Sequence, residues 1–417
     1  MSHSNGYLSR SKPIAGVLCV LFLIGSVRAQ PDLPKQAAPS LRDAVAAAWL
    51  LDPVSRTAES KSKEILAKKK LASSWMAGSP NITLTHRTDR LNANGGLREY
   101  ELELDIPLWR RGVQSAIQRQ TTAQEASMLP AENAAKLKIA GTLRDLVADY
   151  ALAQMEHDWA LRKITESEQL AADVDRRLKA GDVARLDALQ AQAFVQLAKG
   201  QSVSAIANKQ KVLAHWKSAT GFTQIPEPVR DPAPANQTAL AEQHPMFTAA
   251  RAQLQLAQTK SSLILADRSD PLELALGMTR QQAAFGASPE TNLRLALRIP
   301  LGNENRNASR IAQAQTELDL AQAELDAVNR TLEHDIFIAR TGLVAAQNLL
   351  TTSRARASLA EQAQVLIAQA YKLGERDLQA RLRADSERYE ADLAHTRAQL
   401  DEGRAVAKLS QALGLLP

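Results

Sequence analysis

Apolar positions along this chain follow two different periods. Over residues 41 to about 75, 109–179, 182 to about 216, 240–268 and 303–413 they recur at helical spacing, while two windows switch to strict alternation. In the first window Ile82 and Leu84 alternate with Asn81, Thr83 and Thr85. Then Tyr100, Leu102, Leu104, Ile106 and Leu108 alternate with Glu99, Glu101, Glu103 and Asp105. Asn92, Asn94, Gly95 and Gly96 lie between as turn formers, which predicts a β-hairpin. The second window repeats the arrangement: Leu272, Leu274, Leu276 and Met278 alternate with Glu273, Ala275 and Gly277, and Leu293, Leu295, Leu297, Ile299 and Leu301 with Arg294, Ala296, Arg298 and Pro300. Gly286, Ser288 and Pro289 mark the connection.

Proline and glycine punctuate the helical stretches. Asp52-Pro53 interrupts the first, and Pro130 a later one. Gly181 and Gly374 each follow a long apolar-periodic run and supply the left-handed residue that ends a helix. These two glycines are 193 positions apart, as are Pro107 and Pro300, Ile106 and Ile299, and Gly221 and Gly414. One offset relates both halves and predicts an internal two-fold repeat. The expected organisation is a first repeat over 30–225, a proline-rich linker over 226–236 and a second repeat over 237–417. No proline falls between Leu301 and Leu416, so the second repeat reads as one arm of about 70 residues and a returning arm of nearly 40. At 1.5 Å per residue the long arm spans on the order of 100 Å. The returning arm covers half of it; the helix that opens each repeat has the missing length and is expected to stack end to end with the returning one.

The fold class is therefore mainly α with β: long antiparallel helical hairpins plus four strands. A strand apolar on one face and charged on the other fits two environments. It can be a hairpin packed on the helices, or a membrane-barrel strand with lipid on one side and an aqueous lumen on the other, which needs about 9 to 11 residues. Four strands cannot close a barrel, and lipid does not tolerate an open edge, so the second reading requires several chains.

Composition narrows this picture. Aromatic residues are 4% of the chain, against abundant Ala, Leu, Gln, Arg and Glu, as in long helices and coiled coils. Arg10 and Lys12, an apolar stretch from 14 to 24 and Val27-Arg28-Ala29 read as a cleaved secretory signal over 1–29. Cys19, the single cysteine, lies inside it, with Leu18 where a lipobox wants a small residue; the mature chain is expected to lack disulfides and thiolate-bound metals. Loss of Arg10, Lys12 and Arg28 lowers the formal charge from +6 to +3, and a nucleic-acid partner is not expected.

Catalytic signatures are missing: no phosphate loop, dinucleotide fingerprint, HExxH or GxSxG occurs, so neither an enzyme nor a cofactor is expected. Glu156-His157-Asp158 and Glu333-His334-Asp335 imitate metal ligands, but adjacent helical residues point in different directions and 177 is not the repeat offset. The row Glu99, Glu101, Glu103 and Asp105, with Arg294 and Arg298 in the second repeat, is either a solvated face or a charged pore wall.

The order of these features resembles the TolC family of outer-membrane efflux ducts. The resemblance covers nearly all of the mature chain. Its local carriers are Asp105-Ile106-Pro107-Leu108, Arg298-Ile299-Pro300-Leu301, Asp52-Pro53, His244-Pro245, Arg177-Leu178-Lys179-Ala180-Gly181, Tyr371-Lys372-Leu373-Gly374 and Ala412-Leu413-Gly414. It implies a homotrimer whose twelve strands form one barrel in outer-membrane lipid, continued by an α-helical tunnel across the periplasm. The tunnel tip would meet a periplasmic adaptor protein bound to an inner-membrane RND-type pump. It also implies a gate at the tips: Tyr371, Arg376 and Asp187 match the family's locking network beside Gly181 and Gly374, whereas Ala380 and Arg383 stand where the archetype has aspartates. Asp377 or Asp385 could line the mouth instead. Length and the lack of an extended tail resemble the heavy-metal subgroup; drug efflux and type I protein secretion stay open as cargoes. The rivals are a periplasmic adaptor, which has one hairpin between β halves, and a structural coiled-coil protein, which leaves the alternating stretches unexplained.

Overall fold

The structure is a computed structural model that describes residues 39–227, 241–301 and 304–417. These lie within one compact unit. The signal over 1–29 and most of the linker over 226–236 fall outside the described residues.

Local chemistry sets the helix starts. Ser40 opens α1 (Leu41–Leu51), its hydroxyl accepting from the Asp43 N–H while the Asp43 carboxylate accepts from the Ser40 N–H. Asp52 ends α1 and caps α2 (Pro53–Ser73) by accepting the Val54 N–H at 2.8 Å, with Pro53 at a position that needs no donor. His244 does the same for α6 (Pro245–Ala266), its Nδ1 accepting the Met246 N–H at 3.1 Å ahead of Pro245. The remaining helices are α3 (Val113–Ala126), α4 (Met128–Ala180), α5 (Arg185–Thr220), α7 (Glu304–Lys372) and α8 (Leu378–Ala412).

The strands β1 (Asn81–Thr88), β2 (Arg98–Leu108), β3 (Leu272–Gln282) and β4 (Glu290–Arg298) form one antiparallel meander in sequence order. Its central pair joins the two halves of the chain, Leu108 opposite Leu272 and Arg98 opposite Gln282. β1 and β4 are open edges. No described helix is long and apolar enough to cross a membrane.

Each half runs helix, two strands, long arm, glycine turn and returning helix. In the first, α3 and α4 form the long arm; α5 packs on the half near the turn, and α1 and α2 on the half near the sheet. In the second, α8 and α6 divide α7 in the same way. The stacking joint of the first half is a closed apolar cluster. Ala44, Val45 and Ala48 of α1 meet Ala140, Leu143 and Val147 of α4 around Trp216, which is 0% exposed and donates from Nε1 to the Gln224 carbonyl at 2.9 Å. At the second joint the chain passes so close that glycine is required: a Cβ on Gly414 would lie 2.6 Å from His244 Cδ2, and its φ is +76°.

Several boundaries differ from the sequence expectation. The helical break falls at Ser127, three residues before Pro130, because proline is tolerated in the first turn of the helix that follows. β4 ends at Arg298 rather than Leu301, and α8 starts at Leu378, since Asp377 provides its cap. Of the Glu156-His157-Asp158 triplet only Asp158 is exposed; His157 is part-buried, its Nδ1 3.5 Å from Asp158.

Candidate functional site: a charged wall and two helical tips

Pairing in register sorts the sheet into two chemically distinct faces. Ile82 and Leu84, then Leu102 and Leu104, then Leu276 and Met278, then Leu293 and Leu295 share one face; Tyr100 and His86 stack at its loop end, 4.5 Å between ring centroids. Glu99, Glu101, Glu103, Asp105, Glu273, Arg294 and Arg298 share the other. On the central strands β2 and β3 the apolar face is the more exposed one, while β1 is exposed on both faces. Ile82 is 72% exposed, Leu295 71% and Leu293 84%, whereas the Glu103 side chain is 15% exposed and Ala275 is buried.

Most of the charged face is internally paired, although Asp105 Oδ1 is buried without a hydrogen-bond partner. Gly277 stands between Glu103 and Arg294 on the neighbouring strands, and its missing side chain leaves a lane across β3. Arg294 reaches over it to Glu103 at 2.8 Å and to Glu101 at 3.8 Å. Arg298 holds Glu273 at 2.6 Å, and Arg87 comes within 3.9 Å of Glu99. The five wall residues singled out in the sequence thus lie on one face, with Arg294 joined to two of the acids.

At the other end of the long arms the two turns are built alike. Asp182 N–H donates to the Arg177 carbonyl and Gly181 N–H to Leu178; Glu375 N–H donates to Ala370 and Gly374 N–H to Tyr371. Both glycines are left-handed, with φ of +84° and +79°. This is the double bond pattern that closes a helix C-terminus. The helices that return use the same two positions with roles exchanged: Asp187 accepts the Ala184 N–H at 3.1 Å, and Asp377 accepts the Ala380 N–H at 2.8 Å. Asp377 therefore caps α8 from the N-cap position, and Ala380 needs no carboxylate.

Tyr371 joins the tips. It is 7% exposed and packs with Val174, Ala188, Ala191 and Leu378, so a side chain of α7 fills the gap between α4 and α5. Its hydroxyl is buried without a hydrogen-bond partner, and burial raises its pKa. The Arg177 guanidinium lies over its ring at 4.8 Å and is held there by Asp173 at 3.2 Å. Asp187 lies near enough to act electrostatically on the phenol, also upward. Arg376 is exposed and makes no ion pair among the described residues. Tyr371, Gly181, Gly374 and Asp187 are thus brought together, and Arg376 stands apart.

Sequence reading missed two of three groups and misplaced the other. One is the Arg177 and Asp173 pair on Tyr371. Asp385, expected as a candidate to line the mouth, is instead buried between Gln364 at 2.7 Å and Arg381 at 2.9 Å and clasps α7 to α8. The third is the polar seam of α4 with α8, where Glu166 meets Arg388 at 2.5 Å and Arg404 meets Asp145 and Asp149. What the sequence does not mark is the long-range half of each group: Arg177 on Tyr371, Asp385 with Gln364, and α4 with α8. Among the described residues no three His, Cys, Asp or Glu side chains gather as metal ligands would.

No protein-family model matches the chain, and no curated protein sequence matches it. Solved structures do. The outer-membrane protein VceC of Vibrio cholerae matches with a TM-score of 0.72 at 16% identity, over 90% of this chain and 96% of that one. The CmeC outer-membrane channel of Campylobacter jejuni matches at 0.73 and 14%, over 90% and 85%. The MtrE outer-membrane channel of Neisseria gonorrhoeae, in its open state, matches at 0.68 and 16%, over 90% and 89%. The chain has the fold of these channels over nearly its whole described length.

Proposed function

We propose that this protein is the outer-membrane duct of a tripartite efflux system, a passive conduit of the TolC type that catalyses no reaction. The observation that carries the reading is the two-faced sheet, with its large apolar side chains left exposed on one face and its acids paired with arginines on the other. Such a face is stable only against lipid, because eight large apolar side chains in water would forfeit roughly 1.5–3 kcal/mol each. The open edges of β1 and β4 then demand partners in the membrane. Three copies would place twelve strands in one barrel and continue it with a periplasmic helical tunnel; the repeated order of elements and the matched turns support an internal duplication. The fold shared with outer-membrane channels points the same way.

In this assembly Glu99, Glu101, Glu103, Arg294 and Arg298 line the lumen, and the tips at Gly181 and Gly374 form the periplasmic gate and the dock for an adaptor bound to an inner-membrane pump. Heavy-metal cations are the proposed cargo; a passive pore requires no ligands for them on its wall. Fractionation tests the reading: the mature protein should appear in the outer membrane as trimers that dissociate on heating in detergent. A soluble periplasmic monomer would end it.

The gate is tested separately. Tyr371 is the wedge between the two hairpins, and Arg376, which makes no ion pair among the described residues, would meet a neighbouring protomer in the proposed trimer. Tyr371→Ala and Arg376→Ala should each raise single-channel conductance in planar bilayers several-fold. Unchanged conductance would remove that residue from the gate.

A further inference from the structure

Between the helices and the sheet lies a neck in which one aromatic side chain is held out into solvent by a rigid frame. Trp75 is 65% exposed, and Leu71 beside it is also exposed. The backbone that carries Trp75 is tied down on both sides. Trp109 donates from Nε1 to the Ser74 carbonyl at 2.8 Å, Gln114 donates from Nε2 to Ala72 at 2.9 Å and to Ser74 at 3.2 Å, and the Ala77 N–H donates to the Pro107 carbonyl at 2.9 Å. Met76 also bridges to Leu108, the last residue of β2. Exposure of Trp75 is therefore built in rather than the fraying of a loop end.

Basic residues flank it along the chain and through its hydrogen-bonded frame. Lys70 closes the last turn of α2, and Arg110 and Arg111 directly follow Trp109, whose indole touches the Trp75 segment. Lys70 and Arg111 are exposed and Arg110 half-buried, and none of the three makes an ion pair among the described residues. Nearby Lys68 and Lys69, by contrast, are neutralised by Glu64 and Glu125. An aromatic ring that seeks the boundary between hydrocarbon and water, flanked by uncompensated cations, is suited to lipid headgroups that carry net negative charge.

We infer that the Trp75, Lys70, Arg110 and Arg111 patch binds anionic phospholipid headgroups of the membrane leaflet nearest the helices. The inference rests on the barrel reading, because the patch lies at the helix-side ends of β1 and β2, where the lipid-facing sheet would end. The indole sits at headgroup depth while the cations reach the phosphates. A second copy of the chain is the competing occupant of this patch, and the same experiment decides between them.

The test uses the full mature protein reconstituted in phosphatidylcholine vesicles that contain a minor fraction of either brominated phosphatidylglycerol or brominated phosphatidylcholine. Comparison with Trp75→Phe isolates the Trp75 fluorescence. The expected result is that brominated phosphatidylglycerol quenches Trp75 at least twice as strongly as brominated phosphatidylcholine at equal content. The triple variant K70Q/R110Q/R111Q should conduct like the parent and lose this preference. Equal quenching by the two lipids overturns the proposal. A Trp75 that neither lipid quenches, in vesicles that nevertheless conduct, also overturns it: the patch is then covered by protein, while the barrel reading stands. Vesicles that acquire neither inserted protein nor conductance overturn the barrel reading itself.

Discussion

Leu295→Arg is expected to keep the protein out of the outer membrane. Leu295 sits opposite Leu276 in the middle of the β3 and β4 ladder, on the exposed apolar face. An arginine on the lipid face near the bilayer midplane costs about 2–4 kcal/mol per chain, and three copies carry it in the proposed trimer. The measurement is the yield of heat-modifiable trimer in the outer-membrane fraction, which should fall at least tenfold. Glu103→Gln, on the other face of the same sheet, should assemble close to normally, because an amide retains a polar contact with Arg294 across the lane above Gly277. If the arginine variant assembled and the glutamine variant did not, the two faces would have been assigned the wrong way round.

The second large effect lies outside the barrel. Trp216→Ala should cost about 3–5 kcal/mol, the range for deleting a large buried aromatic. The ring is fully enclosed where α1 ends the stack begun by α5, and its loss would also strand the Gln224 carbonyl. The thermal unfolding temperature of the detergent-solubilised protein should drop by several degrees at matched protein concentration, a condition needed because assembly contributes to stability. Trp216→Phe should recover most of the packing and lack only the hydrogen bond. An unchanged midpoint for the alanine variant would mean that the joint contributes nothing to holding α1 on the long arm.

Much of this architecture could be read from residue order alone, for identifiable reasons. Gly181 and Gly374 announce the turns because only glycine adopts the left-handed closing residue without strain, and Asp52-Pro53 announces a helix start because proline suits its first position. The alternating stretches announce strands. What period two does not encode is which face meets which solvent: Leu295 and Arg294 alternate identically whether the leucine faces helices or lipid. Only the tertiary arrangement, in which no helix covers the leucines, resolves that. The tips show the same limit. The 193-residue offset makes Leu178 the counterpart of Tyr371, and in three dimensions the two pack in one cluster. Nothing local to Arg177 predicts that it lies on the ring of a residue nearly two hundred positions away. The missing aspartate at Ala380 likewise looks like a lost acidic site in sequence, whereas the structure shows its capping work transferred to Asp377.

The central strand pair also governs how the chain reaches this state. β1 with β2, and β3 with β4, are hairpins that can close as soon as each emerges. β2 with β3 is different: its two sides are separated by both arms of the first helical hairpin and by α6, so the entropy of closing a very long loop opposes its formation. Until the second half of the chain is available to pair with it, β2 presents a bare hydrogen-bonding edge and a row of leucines to water, the combination most prone to mispairing with a neighbour. If the chain is the duct proposed above, closure of that one ladder is expected to be its slowest folding step, and the first half alone the species that needs shielding from aggregation while it waits.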